Sequence, residues 1–328
     1  MNIIIPPKLK KGNEVRVISP ALSFSIISKE NRRIADKRFK NLGLNLTFGK
    51  NIEQVNNFNS SSIKSRIDDL HEAFRDRNVK AILSVIGGYN SNQLLSYIDW
   101  DLIKKNPKIF CGYSDMSILQ NAIFTKTGLI MYSGPHYSSF SEKLNFTYTY
   151  NYFQKCLMSN KNFTLSPSSK WSDDKWYQKQ NNRHFIKNDG WRIINEGKAK
   201  GVIIGGNLCT LNLLQGTEYF PNLSNSVLFV EDDENSTPAT FDRNLQSLIQ
   251  QKRFNKVKGL VIGRFQKKSK MNSNLFNQII LSKKELAKIP IIADVDFGHT
   301  QPILTFPIGG EVLIDLRFGR KRLEILKH

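Results

Sequence analysis

A serine placed between a buried strand and a helix is the group in this chain best arranged for nucleophilic chemistry. In Ile109-Phe110-Cys111-Gly112-Tyr113-Ser114-Asp115-Met116-Ser117, the run Lys108-Ile109-Phe110-Cys111 reads as a buried strand and Gly112 permits a tight turn. Asp115-Met116-Ser117-Ile118-Leu119 then opens an apolar-periodic helix. Ser114 is thereby expected on a strand-to-helix turn, which lifts its hydroxyl off the sheet edge beside free N–H groups of the first helical turn. A nucleophile and an oxyanion need that pairing. The Gly-x-Ser half of the common hydrolase elbow is present, whereas its second glycine position holds Met116. The same residues also suit a plain helix cap by Ser114 or Asp115.

Other groups could complete such a site. Gly87-Gly88-Tyr89-Asn90 follows the apolar run Val79 to Ile86, and paired glycines at a strand end leave amides free to cradle a phosphate, a carboxylate or an oxyanion. This is neither a Walker loop nor a GxGxxG fingerprint. Of the five histidines, His71 and His328 read as surface and His184 falls in a polar stretch. His136 and His299 each follow a strand beside Gly and Pro, in turns rigid enough to hold a general base, and the residues alone do not rank them. Glu231, first off the buried strand Ser226 to Val230, could orient a histidine through Nδ1–H. Asp232, Asp233 and Glu234 suit an acidic helix N-terminus. The carboxylates lack histidines at ligand spacing, so no metal is expected.

The elements that must position these groups alternate. Val15–Ser19 (strand), Lys29–Leu42 (helix ending at Gly43), Leu44–Phe48 (strand), Ser60–Asp76 (helix) and Val79–Ile86 (strand) are the signature of a parallel sheet wound by right-handed crossovers. Ligands of such sheets bind at the strands' carboxyl ends, where Gly87-Gly88 and Ser114 both fall. A second α/β series runs through Lys198–Ile204, Ser226–Val230, Val257–Ile262 and Pro290–Asp294, with helices from Gly205-Gly206-Asn207 to Gln215, around Phe241 to Ile249 and from Asn274 to Ala287. Glu311–Leu326 reads as a hairpin bending near Phe318-Gly319. Between the two series, Ser159 to Asn195 is polar yet carries Trp171, Trp176 and Trp191, which suits a lid better than a plain linker. The expected organisation is an α/β chain: a Rossmann-like N-terminal domain (1–158), a lid and linker (159–197) and a C-terminal α/β domain (198–328).

Composition bounds the rest. The chain has 328 residues, 40% of them hydrophobic, ample for a core. No run reaches the roughly 18 apolar residues of a membrane span, and the N-terminal segment lacks a secretory pattern; a cytoplasmic protein is expected. Cys111, Cys156 and Cys209 lie far apart, read as buried thiols, and form neither a disulfide framework nor a zinc site. The charge is +20, from 48 basic and 28 acidic residues. The basic residues are scattered without a nucleic-acid motif, so a solvated basic surface is expected rather than nucleic-acid binding; a non-catalytic basic module for anionic ligands is the alternative of another class.

Taken together, Gly87-Gly88-Tyr89, Gly112-Tyr113-Ser114-Asp115, Gly205-Gly206-Asn207-Leu208, Phe229-Val230-Glu231-Asp232 and Gly298-His299-Thr300-Gln301-Pro302 resemble the LD-carboxypeptidase family of serine peptidases. The insertion with Trp171-Ser172-Asp173-Asp174-Lys175-Trp176 and Asn188-Asp189-Gly190-Trp191 resembles its MccF-like branch, which includes microcin C immunity proteins. The resemblance runs from about Pro7 to Leu326. It implies a cytoplasmic homodimeric hydrolase, without metal or cofactor, whose site lies between two domains. Ser114 would be nucleophile, His299 base and then acid, Glu231 its orienter, and the amides of Gly88 and Asp115 the oxyanion hole. His136 matches no motif, and Ile86 stands where cell-wall members usually carry Arg. The implied substrates are an aminoacyl- or peptidyl-nucleotide or, alternatively, murein tetrapeptide; Trp176 is the expected lid ring to stack on a base.

Overall fold

The computed structural model describes residues 2–328. Its first half is built from β1 (Glu14–Ile18), α1 (Lys29–Leu42), β2 (Asn45–Phe48), α2 (Ile63–Arg75), β3 (Val79–Ser84), α3 (Trp100–Lys105), β4 (Ile109–Gly112), α4 (Met116–Thr127), β5 (Met131–Ser133) and α5 (Thr147–Leu157). Local chemistry sets the ends. The Ser28 side chain accepts from the Asn31 amide at 3.3 Å, and α1 stops at Gly43 in the left-handed region (φ 71°), where a Cβ would cost about 1 kcal/mol or more. Ser62 caps α2 through the Ser65 amide at 3.0 Å, so that helix starts three residues after Ser60. Each helix buries one face, Ala35, Phe39 and Leu42 on α1 and Ile67, Leu70, Ala73 and Phe74 on α2. Each large side chain so buried contributes about 1.5–3 kcal/mol.

With β14 (Phe306–Ile308), the first sheet has the order β14-β5-β4-β3-β1-β2. Strands β1 to β5 run parallel, so the ends of β3 and β4 open on one edge. Its last member, β14 (Phe306–Ile308), returns from the far end of the chain and pairs antiparallel with β5.

Between the halves, the stretch expected as a lid and linker contains β6 (Phe163–Leu165), β7 (Lys170–Trp171), β8 (Ile186–Lys187) and β9 (Arg192–Asn195). These strands are too short for a periodicity of two to show against polar neighbours. Beyond them lie β10 (Lys198–Asn207), α6 (Leu208–Asn212), β11 (Ser226–Glu231), α7 (Pro238–Ile249), β12 (Gly259–Gly263), α8 (Ser273–Leu281), β13 (Ile291–Val295), β15 (Glu311–Asp315) and β16 (Arg322–Lys327). The second sheet has the order β6-β16-β15-β10-β11-β12-β13-β9, with β10 to β13 parallel. The expected helix through Ala287 stops at Leu281, and a separate 3₁₀ turn covers Lys284–Leu286. Gln93 to Tyr97 is likewise 3₁₀, within Ser91–Tyr97.

Gly205 and Gly206 lie inside β10 rather than after it, at φ 135° and 118°. A Cβ on Gly206 would run into the Ser117 side chain, so the missing side chain lets β10 rest on the first turn of α4. There Asn121 Nδ2 donates to the Gly205 carbonyl at 2.7 Å and the Asn207 amide to Ser117 Oγ at 2.9 Å. This bonded contact fixes the two sheets relative to each other beside Ser114. No helix among the described residues is long and apolar enough to cross a membrane.

Candidate active site

Ser114 occupies the turn between β4 and α4 at φ 60°. For a residue with a Cβ this left-handed conformation is strained, and strain of this kind concentrates at functional turns. Asp115 stands at the N-cap position of α4, but its side chain makes no cap bond. Its carboxylate turns away to accept from the Ser91 amide at 3.0 Å, and burial holds it above the usual carboxylate range. The capping role expected of it is thus replaced by a tie to the loop after β3.

Three side chains from three strand ends form one hydrogen-bonded line. His299 Nε2 lies 3.0 Å from Ser114 Oγ, and His299 Nδ1 lies 2.7 Å from Glu231 Oε2. Glu231 is the last residue of β11 and is 2% exposed, while His299 sits in the turn after β13. Burial pulls the imidazole down, but the charge and hydrogen bond of Glu231, with Asp233 and Asp232 beyond, outweigh it and hold His299 above its ordinary value. Gly298, at φ 98°, is obligatory, because a Cβ there would meet the Glu231 carboxylate.

His136 is near this line but not in it. Its ring stacks on Tyr113 with centroids 4.2 Å apart, Tyr113 in turn meets His299 edge-on at 5.4 Å, and His136 Nδ1 pairs with Ser84 Oγ at 2.8 Å. Burial and the neighbouring His299 push it down to about 3, so it stays neutral.

The loop after β3 faces the serine directly. A Cβ on Gly87 would lie 3.0 Å from Ser114 Cβ, 3.1 Å from its Oγ and 3.5 Å from the Asp115 amide nitrogen. The amides of Gly88 and Asp115 donate to no acceptor among the described residues. The free Asp115 amide thus adjoins the serine, and Gly88 lines the same cavity as Ser114.

Ser114, His299, Gly87, Gly88, Tyr113 and His136 line a cavity of about 340 Å³ whose far wall is the lid residues Asp173 to Tyr177 and the loop Asp233 to Asn235. The lid is tied on both sides. Ser172 and Gln301 exchange backbone bonds of 2.8 and 2.7 Å, and Asp173 accepts from the Lys267 amide at 2.6 Å. On the other side the buried Arg183 joins Asp174 (2.5 Å) to Glu142 (2.6 Å). Burial, working against Arg183, pushes Glu142 up to about 7. Gln180 donates to Asn31 and to the Ser141 carbonyl. Trp176 reaches the cavity, packed edge-on against Tyr177 at 5.9 Å. Trp171 lies instead under the Arg264 guanidinium, and Trp191 is buried with its Nε1 donating to Asp296 at 2.8 Å.

The structure therefore brings together Ser114, Glu231, His299, the Gly88 and Asp115 amides and Trp176. Other expectations are corrected. Asp232, Asp233 and Glu234 form no helix N-terminus, since α7 begins at Pro238 behind a Thr237 cap. Asp232 is buried, bonded to Ser236 Oγ and pushed up to about 6 by burial. His328 is not at the surface; it is buried against the Cys156 and Lys161 carbonyls. His71 is half-buried and accepts from the Asp99 amide, and Cys209 is only partly buried. Sequence reasoning missed the Tyr113 platform and the Arg183 clasp, which depend on pairs of residues remote in the chain and leave no local signal.

Comparison with known proteins agrees with this geometry. Residues 15–134 match the LD-carboxypeptidase N-terminal domain and residues 200–314 its C-terminal domain. YocD of Bacillus subtilis (strain 168), named as a carboxypeptidase, is 53% identical over 98% of this chain and 99% of its own. The microcin C7 self-immunity protein MccF of Escherichia coli is 32% identical over 98% and 95%. The crystal structure of an MccF-like protein from Bacillus anthracis superposes with a TM-score of 0.98 at 56% identity, over 99% of this chain and all of that one. The chain belongs to the LD-carboxypeptidase family and is a serine-type carboxypeptidase of the MccF-like kind.

Proposed function

We propose that this enzyme cleaves an amide-type bond joining an aminoacyl or peptidyl group to a nucleotide, through a Ser114-His299-Glu231 triad. The observation carrying this reading is the continuous line of hydrogen bonds from a positive-φ serine to a buried carboxylate. Ser114 Oγ–H passes its proton to His299 Nε2 as Oγ attacks the carbonyl carbon, while Glu231 holds Nδ1–H and stabilises the imidazolium. The tetrahedral oxyanion accepts from the Gly88 and Asp115 amides; a single such donor is worth about 2.7–4 kcal/mol. His299 then protonates the leaving nitrogen, the acyl-enzyme forms, and water deacylates it by the reverse proton path.

MccF has been solved with aspartyl sulfamoyl adenosine, and a tryptophan-to-phenylalanine variant of it with adenosine monophosphate. In this chain Trp176 would stack on the base, worth about 1–3 kcal/mol, and the biological role would be self-immunity toward a nucleotide-bearing toxin. The competing substrate is murein tetrapeptide, losing its terminal D-alanine; a Bacillus subtilis relative 29% identical is named a murein peptide carboxypeptidase. The reading also takes over the family expectation of a cytoplasmic homodimer.

The test is a parallel assay of the purified enzyme and its Trp176→Ala variant on an aminoacyl-sulfamoyl adenosine and on murein tetrapeptide. Cleavage of the first, with KM raised by Trp176→Ala, is expected. Cleavage of the tetrapeptide alone, indifferent to Trp176, reverses the assignment.

A further inference from the structure

At Leu22 and Tyr89 the Ser114 cavity adjoins a second one of about 410 Å³, which shares those two residues and includes none of the lid. Its volume lies in the range of small-ligand pockets. Two aromatic rings stand at its rim in solvent, Phe58 at 80% and Tyr89 at 79% exposure. Phe58 is not on a loose loop. Asn56 Oδ1 accepts from the Phe58 and Ser60 amides at 2.9 and 3.1 Å, and Ser60 Oγ donates to the Ala21 carbonyl at 2.6 Å, next to Leu22. A tied loop that holds an aromatic ring in water gains nothing for folding by doing so.

The floor is polar. Arg66, 3% exposed, donates to the Pro20 and Asn90 carbonyls and to Gln93 Oε1, while its Nε and the Asn90 Oδ1 lack partners. Aromatic walls over a polar floor match an extended peptide, with an apolar side chain against the rings and backbone groups toward the floor.

We infer that this second cavity is a subsite for a peptide on the acyl side of the substrate, taking at least one apolar residue beyond the one whose carbonyl Ser114 attacks. The inference rests on the reading of Ser114 as the acylated residue. Tyr89 directly follows Gly88, whose amide would hold the carbonyl oxygen, so an acyl chain leaving that carbonyl on the side away from the lid meets Tyr89 first. The enzyme would accordingly favour peptidyl over single aminoacyl substrates.

Binding to the Ser114→Ala protein tests this without turnover. Calorimetric titration with amides of one, two and three residues, sharing the amidated residue and carrying leucine at the added positions, is expected to show affinity rising about tenfold on the first extension. Phe58→Ser in the same background erases that gain. Equal affinity at all three lengths overturns the inference, as does a gain indifferent to Phe58→Ser. Phe58 is exposed, so the unfolding midpoint checks that the variant is folded. Failure of the wild-type enzyme to cleave any nucleotide conjugate would count against the proposed reaction alone and leave these binding results to decide the subsite.

Discussion

Ser114 Oγ and His299 Nε2 lie 3.0 Å apart although 185 positions separate the two residues in the chain. The distance is maintained by the seating of β10 on α4 and by the pairing of Ser172 with Gln301, two residues after His299. Removing the hydroxyl removes the proposed nucleophile and little else. Ser114→Ala is expected to cut kcat about 10⁴-fold or more, with a stability change of about 1 kcal/mol or less. Steady-state kinetics and thermal unfolding check both halves; turnover near wild type would exclude the serine mechanism.

The pH profile follows from Glu231. A histidine base acts only when neutral, and His299, the proposed base, is held above its ordinary 6.5, so kcat/KM is expected to rise with pH through a midpoint above 6.5. Glu231→Gln lowers that midpoint and cuts the rate about 10³- to 10⁴-fold. His136, pushed down to about 3, adds no step to the profile. Stability moves in the opposite sense. A histidine raised in the folded state contributes stability that is fully present below its unfolded pKa and lost as pH climbs through the folded one. The unfolding free energies of wild type and Glu231→Gln should therefore converge as pH rises from about 6 to 9; a gap that widens would contradict the assigned shift.

Gly87 tests the close approach of the two loops. Gly87→Ala sets a methyl about 3 Å from the Ser114 side chain, displacing the Ser114 hydroxyl from His299 rather than disturbing the core. An expected fall in kcat of about tenfold or more, with the unfolding midpoint nearly unchanged, separates crowding at Ser114 from general destabilisation. Unchanged kcat would mean that the serine has room to give.

The Arg183 clasp predicts a lid effect. Arg183→Leu leaves Asp174 without its cation and Glu142 with only the more distant Arg38, and removing one partner of a buried pair costs about 3–5 kcal/mol. Glu142, already near 7, can relieve part of this by taking a proton. The loss should be local, seen as faster proteolysis within 174–183 and a KM raised more than kcat is lowered. Glu142→Gln on top of Arg183→Leu should recover part of the stability; no recovery would show that Glu142 is not the group left exposed.

Much of the candidate site was legible in one dimension because its parts are punctuation between elements. Ser114 follows a four-residue buried strand, Glu231 ends another, Gly87-Gly88 closes a third, and Gly298-His299 follows β13; apolar runs broken by glycine announce such strand ends, and parallel sheets align them on one edge. The family resemblance then distinguished His299 from His136, which strand-end position alone did not. Tertiary structure decided what depends on distance through space. It buried His328, turned the Asp115 carboxylate from its own helix to Ser91, drew Asp232 into the interior and pulled parts of the polar insertion into the second sheet as β6 and β9. Each of these outcomes turns on a partner remote in sequence, or on burial set by the whole chain, and neither is written in local spacing.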